Sequence, residues 1–439
     1  MRLKLLPFLL LFAFGSHAAS GPVADHHAHL LSPAGAARIT EPPLDTIAVP
    51  AELTKVIDER EQAWNNEEGL AKLYTDNAIV HQARNATWIK GRAEVAENLA
   101  TLFAKQYRIA PVAYDITGNT AWVAGYFTRP NEGKLRRFGH VLLSLKKDDA
   151  GAWKIAAETL NFPGPTTYET VNAEQLIARH DEAGIKRAAV LSTAYWWGSP
   201  LSGPVENEYE IVRQQNDWTV SEVAKYPERL FAFISFNPLK DYALEELQRF
   251  AKHPNVRGLK LHFGNSGVDV KNPEHLEKVR RVFKAANEHK MGIIVHLWTG
   301  GPEGYGKEDA EIFLAQVLPV APDIPITIAH FAGGGPGYTD EALAVYAEAI
   351  QKNDPRTKNL TFDIATVADS QSDAVLKKFA ERIRQIGFKR VLFGTDLGPP
   401  HARQSWMIFR TTTPLTDEEF AAIAGNVAPY LAPNPAPSP

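Results

Sequence analysis

The sequence predicts an α/β fold in which eight strands alternate with helices and close into a barrel, interrupted by a smaller α+β block. Two observations support this prediction. From about residue 171 onward, helical stretches alternate with short apolar strands, which is typical of a parallel sheet built from βα units. Between about residues 50 and 162, helices are instead followed by consecutive strands joined by turns, which indicates a separate unit with antiparallel strands.

The first strand is predicted at residues 23–30, Val-Ala-Asp-His-His-Ala-His-Leu. Because side chains alternate between the two faces of a strand, we expect Asp25, His27 and His29 to share one face. Two imidazoles in this spacing can bind one metal ion from the same side, and neutral imidazole suits zinc and its first-row neighbours. A single histidine at a strand end is more often a hydrogen-bonded structural residue, so this hypothesis depends on further ligands.

The block that follows contains two kinds of element. Helices are predicted at residues 50–66 and 95–103, the first from its apolar residues at helical spacing. Strands are predicted at residues 109–116, 120–129, 135–146 and 153–160. We therefore assign residues 49–164 to an inserted α+β domain.

The remaining strands belong to the barrel. They are predicted at residues 188–191, 230–236, 256–263, 292–296, 326–330, 360–364 and 390–393, each preceded by a helix. Together with the first strand they make eight, the number that closes a (β/α)8 TIM barrel. The barrel is thus discontinuous and comprises residues 20–48 and 165–432.

The two ends of the chain are predicted to lie outside these domains. Arg2 and Lys4 precede an apolar stretch at residues 5–14 and small residues around Ala18, so residues 1–19 are predicted to be a cleaved signal peptide. The protein is therefore expected to be secreted or periplasmic, without a membrane anchor, since no later stretch is long and apolar enough. The proline-rich residues 433–439 are predicted to be a disordered tail.

Composition excludes several classes of function. A net charge of −4 and a pI of about 6.4 argue against a nucleic-acid partner, because no basic excess is present to neutralise phosphates. The chain has no cysteine, which excludes thiolate catalysis and means that any metal must be bound by nitrogen and oxygen. These features favour a small-molecule substrate.

Polar residues stand at the ends of three later strands. His296 follows Gly-Ile-Ile-Val, His330 follows Ile-Thr-Ile-Ala, and Asp396 follows Val-Leu-Phe-Gly-Thr. In a barrel of this kind the carboxyl ends of the strands form one face, so these residues should meet His27 and His29 there. The sequence therefore predicts a shared metal site at this face.

These motifs resemble those of the metal-dependent amidohydrolase superfamily, in particular the amidohydrolase-2 branch with its decarboxylases and hydratases. The resemblance rests on Asp25-x-His27-x-His29, Gly258-Leu-Lys-Leu-His262, Val295-His296, Ala329-His330 and Gly394-Thr-Asp396. It implies one divalent metal ion, with zinc as the first choice, and as its ligands His27, His29, His296 and Asp396. It also implies that His330 is the catalytic acid or base, or polarises a substrate oxygen, and that Asp396 takes a proton from a metal-activated water.

The inserted block resembles the NTF2-like (SnoaL-like) cone fold over residues 50–162. The similar stretches are residues 73–78, Leu-Tyr-Thr-Asp-Asn-Ala, and the closing strands around residues 139–141 and 151–155. The resemblance implies a curved sheet around a pocket, and such domains serve as small enzymes, binding modules or dimerisation units. The inserted domain is therefore expected either to cover the metal site or to serve dimerisation, and a homodimer is compatible with the second role.

Lys260 and His262 lie two residues apart on the predicted fourth barrel strand, so both should face the barrel interior. Three roles are open for Lys260: a ligand that bridges two metal ions, a contact to a substrate anion, or an interior lysine paired with a carboxylate. The single-metal interpretation is the one we favour from the sequence. Both residues are candidates for substrate binding.

Aromatic and cationic residues around the predicted site are further candidates for substrate binding. Tyr195, Trp196 and Trp298 follow strand ends, so they could form an aromatic wall for a flat substrate, or alternatively cover a neighbouring helix. Arg403, in the predicted loop after Asp396, is the candidate to bind a substrate carboxylate.

Three functions are compatible with these features. The first is a metal-dependent hydrolase that uses a metal-activated water on an amide, ester or lactone bond of a small molecule, aromatic if the predicted wall exists. The alternative is a metal-dependent decarboxylase or hydratase of an aromatic or unsaturated carboxylic acid, which needs cationic groups to hold the carboxylate. The third is a binding protein that has lost catalysis, which the five intact metal-site positions argue against.

Overall fold

The computed structural model describes residues 21–40, 44–63, 66–82, 87–100, 107–131, 134–161, 169–298, 304–369, 371–397 and 402–432. The predicted signal peptide and the predicted C-terminal tail lie outside these ranges. Among the helices of the described residues, none has the length and the apolar character needed to cross a membrane.

The chain forms two compact units. One, the barrel unit, combines Met1–Ser32 with Val171–Pro439, and the other, the inserted unit, is Pro33–Thr170. The observed division therefore comes after residues 32 and 170, whereas the sequence analysis places the domain boundaries after residues 48 and 164.

The barrel unit contains one parallel sheet of eight strands, as predicted. The strands are β1 (Ala24–His29), β8 (Arg187–Leu191), β9 (Leu230–Ser235), β10 (Val256–His262), β11 (Gly292–His296), β12 (Ile326–Ile328), β13 (Leu360–Asp363) and β14 (Val391–Leu392), in this spatial order. The sheet returns to its first strand beyond β14, where the His26 backbone N–H donates to the Phe393 carbonyl (2.9 Å) and Ala28 pairs with Asp396. The barrel therefore closes beside the residues predicted to bind metal.

Helices lie between successive barrel strands and after the last one. They are α5 (Ala173–Ala183), α6 (Glu208–Val223), α7 (Ala243–Phe250), α8 (Phe263–Ser266), α9 (Pro273–Glu288), α10 (Lys307–Ile312), the irregular turn α11 (His330–Gly334), α12 (Asp340–Gln351), α13 (Asp373–Ile386), α14 (Ala402–Thr412) and α15 (Asp417–Ala424). Helix α5 shows how the sequence sets these bounds. Asn172 and Gln175 form a reciprocal capping box at its start, and Gly184 ends it in the left-handed conformation, with φ of 78°.

Two apolar cores hold the barrel unit together. Inside the barrel, small, aliphatic and aromatic side chains such as Ala24, Ile294 and Phe233 fill the space around Tyr430. The larger core lies between the strands and the surrounding helices. Because both cores are buried, the strand ends that carry the polar residues are held on a rigid frame.

The inserted unit is an α+β structure with one six-stranded sheet. Its strands are β2 (Tyr74–Gln82), β3 (Thr87–Lys90), β4 (Arg108–Thr117), β5 (Thr120–Asn131), β6 (Lys134–Lys147) and β7 (Trp153–Asn161), in the spatial order β3-β2-β7-β6-β5-β4. All pairs are antiparallel except β2 with β7. Its helices are α1 (Pro33–Ile39), α2 (Ala51–Gln62), α3 (Glu67–Leu73) and α4 (Arg92–Ala100). The NTF2-like assignment of this unit stays a prediction.

Candidate metal centre

The hydrogen bonds of two histidines in β1 show which nitrogen of each imidazole carries the proton. His29 donates its Nδ1–H to the Leu191 carbonyl (2.7 Å), and His27 donates its Nδ1–H to Oδ2 of Asp363 (2.9 Å). Since a neutral imidazole carries only one N–H, Nε2 of both rings must present a lone pair. This is the form in which histidine binds a metal ion.

Asp396 faces both of these lone pairs. Its Oδ1 lies 3.4 Å from Nε2 of His27 and 3.4 Å from Nε2 of His29. The Asp396 backbone is held in the left-handed region, with φ of 63°, and its N–H donates to the His27 carbonyl (2.6 Å). Gly394 permits this close approach, since a Cβ at that position would come within 2.7 Å of the His27 Cβ. The Gly-Thr-Asp motif thus places the carboxylate against β1.

His330 approaches the same carboxylate from the other side. It donates its Nδ1–H to the Ala365 carbonyl (2.8 Å), so its Nε2 also carries a lone pair, and this nitrogen lies 3.8 Å from Oδ2 of Asp396. Residues 330–333 all have positive φ, between 50° and 102°. A backbone conformation this rare for non-glycine residues indicates that the position of His330 is imposed by its surroundings.

Asp363 holds two of these groups and was not singled out from the sequence. Its Oδ2 accepts from the His27 ring and its Oδ1 from the His330 backbone N–H (3.0 Å). It is fully buried, which alone would raise its pKa, but the neighbouring His27 lowers the pKa to about 2. Asp363 ends β13, whereas the strand was predicted to continue to residue 364, so Asp363 did not stand out as a strand-terminal polar residue.

Lys260 is the buried cation of the site. It is 1% exposed, and its Nζ donates to Nε2 of His27 at 3.0 Å. Burial lowers its pKa to about 8, against the opposing effect of the Asp396 and Asp363 carboxylates. Of the roles left open by the sequence, pairing with a carboxylate is not what the structure shows, since its hydrogen-bond partner is an imidazole.

The amidohydrolase family model (described as "Amidohydrolase") matches residues 200–428. This is more than half of the chain. The chain belongs to the amidohydrolase family. The matched segment includes His262, His296, His330 and Asp396, and the β1 histidines precede it. A comparison with curated protein sequences gives no match.

Several solved structures resemble this amidohydrolase. The 5-carboxyvanillate decarboxylase of Sphingomonas paucimobilis is 18% identical, with 57% of this chain and 79% of that chain covered and a TM-score of 0.42. The same enzyme of Novosphingobium aromaticivorans, complexed with manganese and 4-hydroxy-3-methoxy-5-nitrobenzoic acid, is 15% identical, with 58% and 79% covered and a TM-score of 0.42. The apo IDCase of Metarhizium anisopliae is 13% identical, with 92% and 95% covered and a TM-score of 0.46. At such low identities and TM-scores, none of these likenesses bears on the substrate of this chain.

The donor set of this amidohydrolase fits a divalent cation. Ligand atoms of His27, His29 and Asp396 lie within 4.8 Å of one another, as do those of His27, His330 and Asp363. Burial lowers the pKa of His27 to about 4 and also lowers that of His29, so both rings are neutral near pH 7. Neutral nitrogens and a carboxylate then face one another as acceptors, and a cation between them removes their mutual repulsion.

His296, the fourth predicted ligand, lies beside this group without joining it. Its ring stacks on His262 with centroids 4.0 Å apart and lies 4.9 Å from the His330 ring, but its nitrogens are outside the two close groups. Its Nδ1 is buried and has no hydrogen-bond partner among the described residues. A buried polar atom of this kind is expected to have a ligand.

The predicted substrate-binding residues fall into two groups. His262 and Tyr195 lie at the site, with ring centroids 5.1 Å apart, and burial followed by the charge of Asp396 raises the pKa of Tyr195. The ring of Trp196 contacts that of Tyr195 at 6.2 Å. The half-buried Trp298 contacts the exposed Tyr338 at 5.4 Å instead.

Arg403 was expected in a loop after Asp396, and this expectation is wrong. It is the second residue of helix α14 and its side chain is exposed. The helix begins immediately after residues 398–401, which are outside the described part of the chain.

Asp25 does not share a face with His27 and His29, and this prediction is also wrong. The β1–β8 register shifts between Asp25 and Ala28, which indicates a bulge that interrupts the regular alternation. The Asp25 carboxylate accepts instead from His180 of α5 (3.0 Å) and from the Thr395 hydroxyl (2.7 Å). Asp25 therefore fastens β1 to a helix and to the Gly-Thr-Asp segment.

Proposed function

We propose that this amidohydrolase is a metal-dependent enzyme that acts on a small aromatic or unsaturated carboxylic acid and releases its carboxylate as CO2. The observation that supports metal dependence is the convergence of three Nε2 lone pairs, from His27, His29 and His330, on the Asp396 carboxylate. We take the metal ion to be a single divalent ion, with zinc the first choice, held by His27, His29 and Asp396 and completed by His296.

Lys260 supports the choice of a carboxylic acid. It is a buried ammonium group whose hydrogen bond goes to a neutral imidazole that the metal ion would occupy. Once His27 binds the metal, Lys260 requires another acceptor, and a substrate carboxylate can supply it. We therefore favour decarboxylation over hydrolysis as the function, whereas the sequence alone favoured hydrolysis.

The residues of the site can be assigned to the steps of such a reaction. The bound ion supplies Lewis acidity to an oxygen of the substrate. Lys260 orients the carboxylate, and Tyr195 and Trp196 contact the flat part of the substrate. As the bond between the carboxylate carbon and the ring carbon breaks, CO2 leaves and the electron pair stays on the ring carbon. The proton that this carbon requires comes from water through Nε2 of His330, whose lone pair accepts it first and then passes it to the carbon.

Hydrolysis of an amide, ester or lactone is the second candidate. It is favoured by the two-sided position of Asp396, which has one oxygen towards the ligand histidines and the other 3.8 Å from Nε2 of His330. A carboxylate placed in this way can accept a proton from water and pass it to the imidazole. The two reactions share the metal ligands and differ in their need for Lys260.

Metal content and turnover test the proposal together. We expect about one divalent ion per chain in protein purified without chelator, and loss of the ion in the His27→Ala/His29→Ala variant. The purified protein is then offered hydroxybenzoates with CO2 detection and, in parallel, neutral esters and lactones. CO2 release supports the proposal, whereas hydrolysis alone would establish the second candidate. A protein that binds metal but turns over neither class of compound would favour a binding protein.

The Lys260→Met variant separates the two reactions. Loss of a hydrogen bond between charged groups is worth roughly 1.5–3 kcal/mol, so KM for the acid should rise on the order of tenfold to a hundredfold. Lys284→Met, on the exposed face of helix α9, is the matched control and should leave KM unchanged. An unchanged KM for the acid in Lys260→Met would contradict the role given to Lys260.

We also propose that the protein is exported, as residues 1–19 predict. The N-terminal sequence of protein isolated outside the cytoplasm should begin close to Ser20. Recovery of an intact Met1 would contradict this proposal.

A further inference from the structure

The imidazole of His262 carries its proton on the opposite nitrogen from the three histidines that face Asp396. The Asn265 backbone N–H donates to Nδ1 of His262 (3.1 Å). A backbone N–H can only donate, so Nδ1 must carry a lone pair, and the proton of the ring is on Nε2. His262 therefore presents an N–H at the nitrogen where the other three rings have a lone pair.

The same hydrogen bond argues against His262 as a metal ligand. A histidine binds a metal ion through a lone pair, and the single lone pair of this ring already accepts from the backbone. His262 is the N-cap residue of α8, and its side chain satisfies the Asn265 N–H there. If the proton moved to Nδ1, two donors would face each other at this helix end.

The ring of His262 has a neighbouring ring on each side of β10. Towards β11 it stacks on His296, with centroids 4.0 Å apart and 17° between the ring planes. Towards β9 the ring of Tyr195 lies 5.1 Å away, and the Tyr195 backbone N–H donates to the Ser235 hydroxyl (3.0 Å). Because these contacts and the bond to Asn265 fix the ring, the direction of its Nε2–H is fixed as well.

This N–H has no acceptor among the described residues. The side chain is partly buried, so a donor without an acceptor costs free energy until a ligand supplies one. A second donor lies close by, since Lys260 stands two residues earlier on the same face of β10. Burial, followed by the charge of Lys260, lowers the pKa of His262, which places the two groups within reach of each other's charge.

We propose that Nε2–H of His262 and Nζ of Lys260 bind the two oxygens of one substrate carboxylate. This inference rests on the proposed function and names the groups that recognise its carboxylic acid. A carboxylate only accepts and has two equivalent oxygens, so it satisfies both donors at once. The carbonyl of a neutral ester or lactone offers a single strong acceptor, and the two donors therefore select acids over such compounds.

Calorimetric titration of the full-length, zinc-loaded protein with hydroxybenzoates tests this role. His262→Asn keeps an acceptor for the Asn265 N–H, and His262→Phe keeps a ring beside His296. Both lose the donor, so each should raise Kd for the acid by about tenfold to a hundredfold. His262→Gln places an amide NH2 near the position of Nε2 and should recover most of the affinity. Metal content should stay at the wild-type value in all three variants, because His262 is not a ligand.

His253→Asn is the matched control. Nδ1 of His253 also accepts a backbone N–H, that of Asn255 (3.3 Å), but this residue precedes β10 at the opposite end of the strand, so Kd should not change. An unchanged Kd in both His262→Asn and His262→Phe would overturn this inference alone, while CO2 release by the wild-type protein upheld the proposed function. Loss of the metal ion from both variants would also overturn it, because His262 would then be a ligand. A wild-type protein that binds none of the hydroxybenzoates would overturn the proposed function and this inference with it.

Discussion

The two units of the molecule each bury an ionic cluster, and the clusters are built in opposite ways. In the inserted unit, Arg60 donates from two nitrogens to the two oxygens of Glu158 (3.2 Å each), and the Tyr74 hydroxyl donates to the same carboxylate. In the barrel unit, Lys260 donates to the imidazole of His27, and the Asp396 carboxylate faces further imidazole lone pairs. The first cluster pairs donors with acceptors, whereas the second sets acceptors against acceptors.

This difference indicates what each cluster is for. A buried ion pair with bidentate geometry sets donors against acceptors and holds two elements of the fold together. Acceptors that face one another in a buried place are tolerated only if something else binds there. The hydrogen-bond directions therefore separate a structural cluster from a functional one, which residue composition alone does not.

Acidification should distinguish the two units most strongly. Burial lowers the pKa of His26, His27, His29, His262 and His296 below the ordinary 6.5, and to about 4 for His27. The unfolded chain therefore binds more protons than the folded barrel from pH 6.5 downward, and stability falls as the pH falls through this window. The loss is at most about 1.4 kcal/mol per pH unit for each histidine.

In the inserted unit, Arg60 and Tyr74 have raised pKa values and keep their charge states over this range. We would measure hydrogen exchange at pH 7.5 and 5.5 on protein from which metal has been removed with a chelator, and correct it for the intrinsic exchange rate. Protection against exchange should fall from pH 7.5 to pH 5.5 in peptides of the barrel unit only. An equal loss of protection in both units would show that acid does not act selectively on the barrel unit.

Removal of the carboxylate from the inserted cluster should have the next largest effect. Glu158→Ala leaves the fully buried Arg60 without its counter-charge and should lower the free energy of unfolding of this unit by about 3–5 kcal/mol. Metal content should not change. Glu68→Ala removes the partner of Lys72 in an exposed pair and should leave the free energy of unfolding nearly unchanged, because solvent screens such a pair. Denaturant unfolding of the two variants measures the difference, and similar losses would show that the buried pair is not structural.

Asp363→Asn should have a smaller effect, confined to the barrel. The carboxylate offers one oxygen to the His27 ring and one to the His330 backbone N–H, whereas an amide must turn its NH2 group towards one of these donors. Metal affinity should fall about 10–100-fold, the usual size for a residue that orients a ligand. Asp217→Asn is the control, since Asp217 pairs with Arg249 at the surface of the barrel unit. Titration with a competing chelator measures both variants, and equal affinities would remove Asp363 from the metal site.

Much of the barrel could be predicted from the sequence, because its signals are local. The eight apolar strands and the end of α5 at Gly184 follow from periodicity and backbone preference. The meeting of His27, His29 and Asp396 follows from the rule that strand ends share one face. None of these requires knowledge of a specific contact.

The misses come from features that local patterns do not encode. The bulge near His26 turns Asp25 away, although the alternation of the sequence is regular. The contact of Lys260 with His27 joins β10 to β1 across the barrel interior, so neither segment alone indicates it. Asp363 was a miss of a different kind, since the predicted strand ended one residue too late and placed Asp363 inside it.

The place where the inserted unit joins the barrel has a consequence for the history of the chain. Leu31 and Val171 exchange two backbone hydrogen bonds, at 3.0 and 2.9 Å, directly beside the points where the chain leaves and re-enters the barrel unit. The two junctions are therefore neighbours in space. A folded domain can be inserted, removed or replaced between them without a change in the order of the barrel strands. With junctions placed in this way, recombination can transfer the inserted domain as one unit. Protein engineering can use the same two junctions to insert other domains into the barrel.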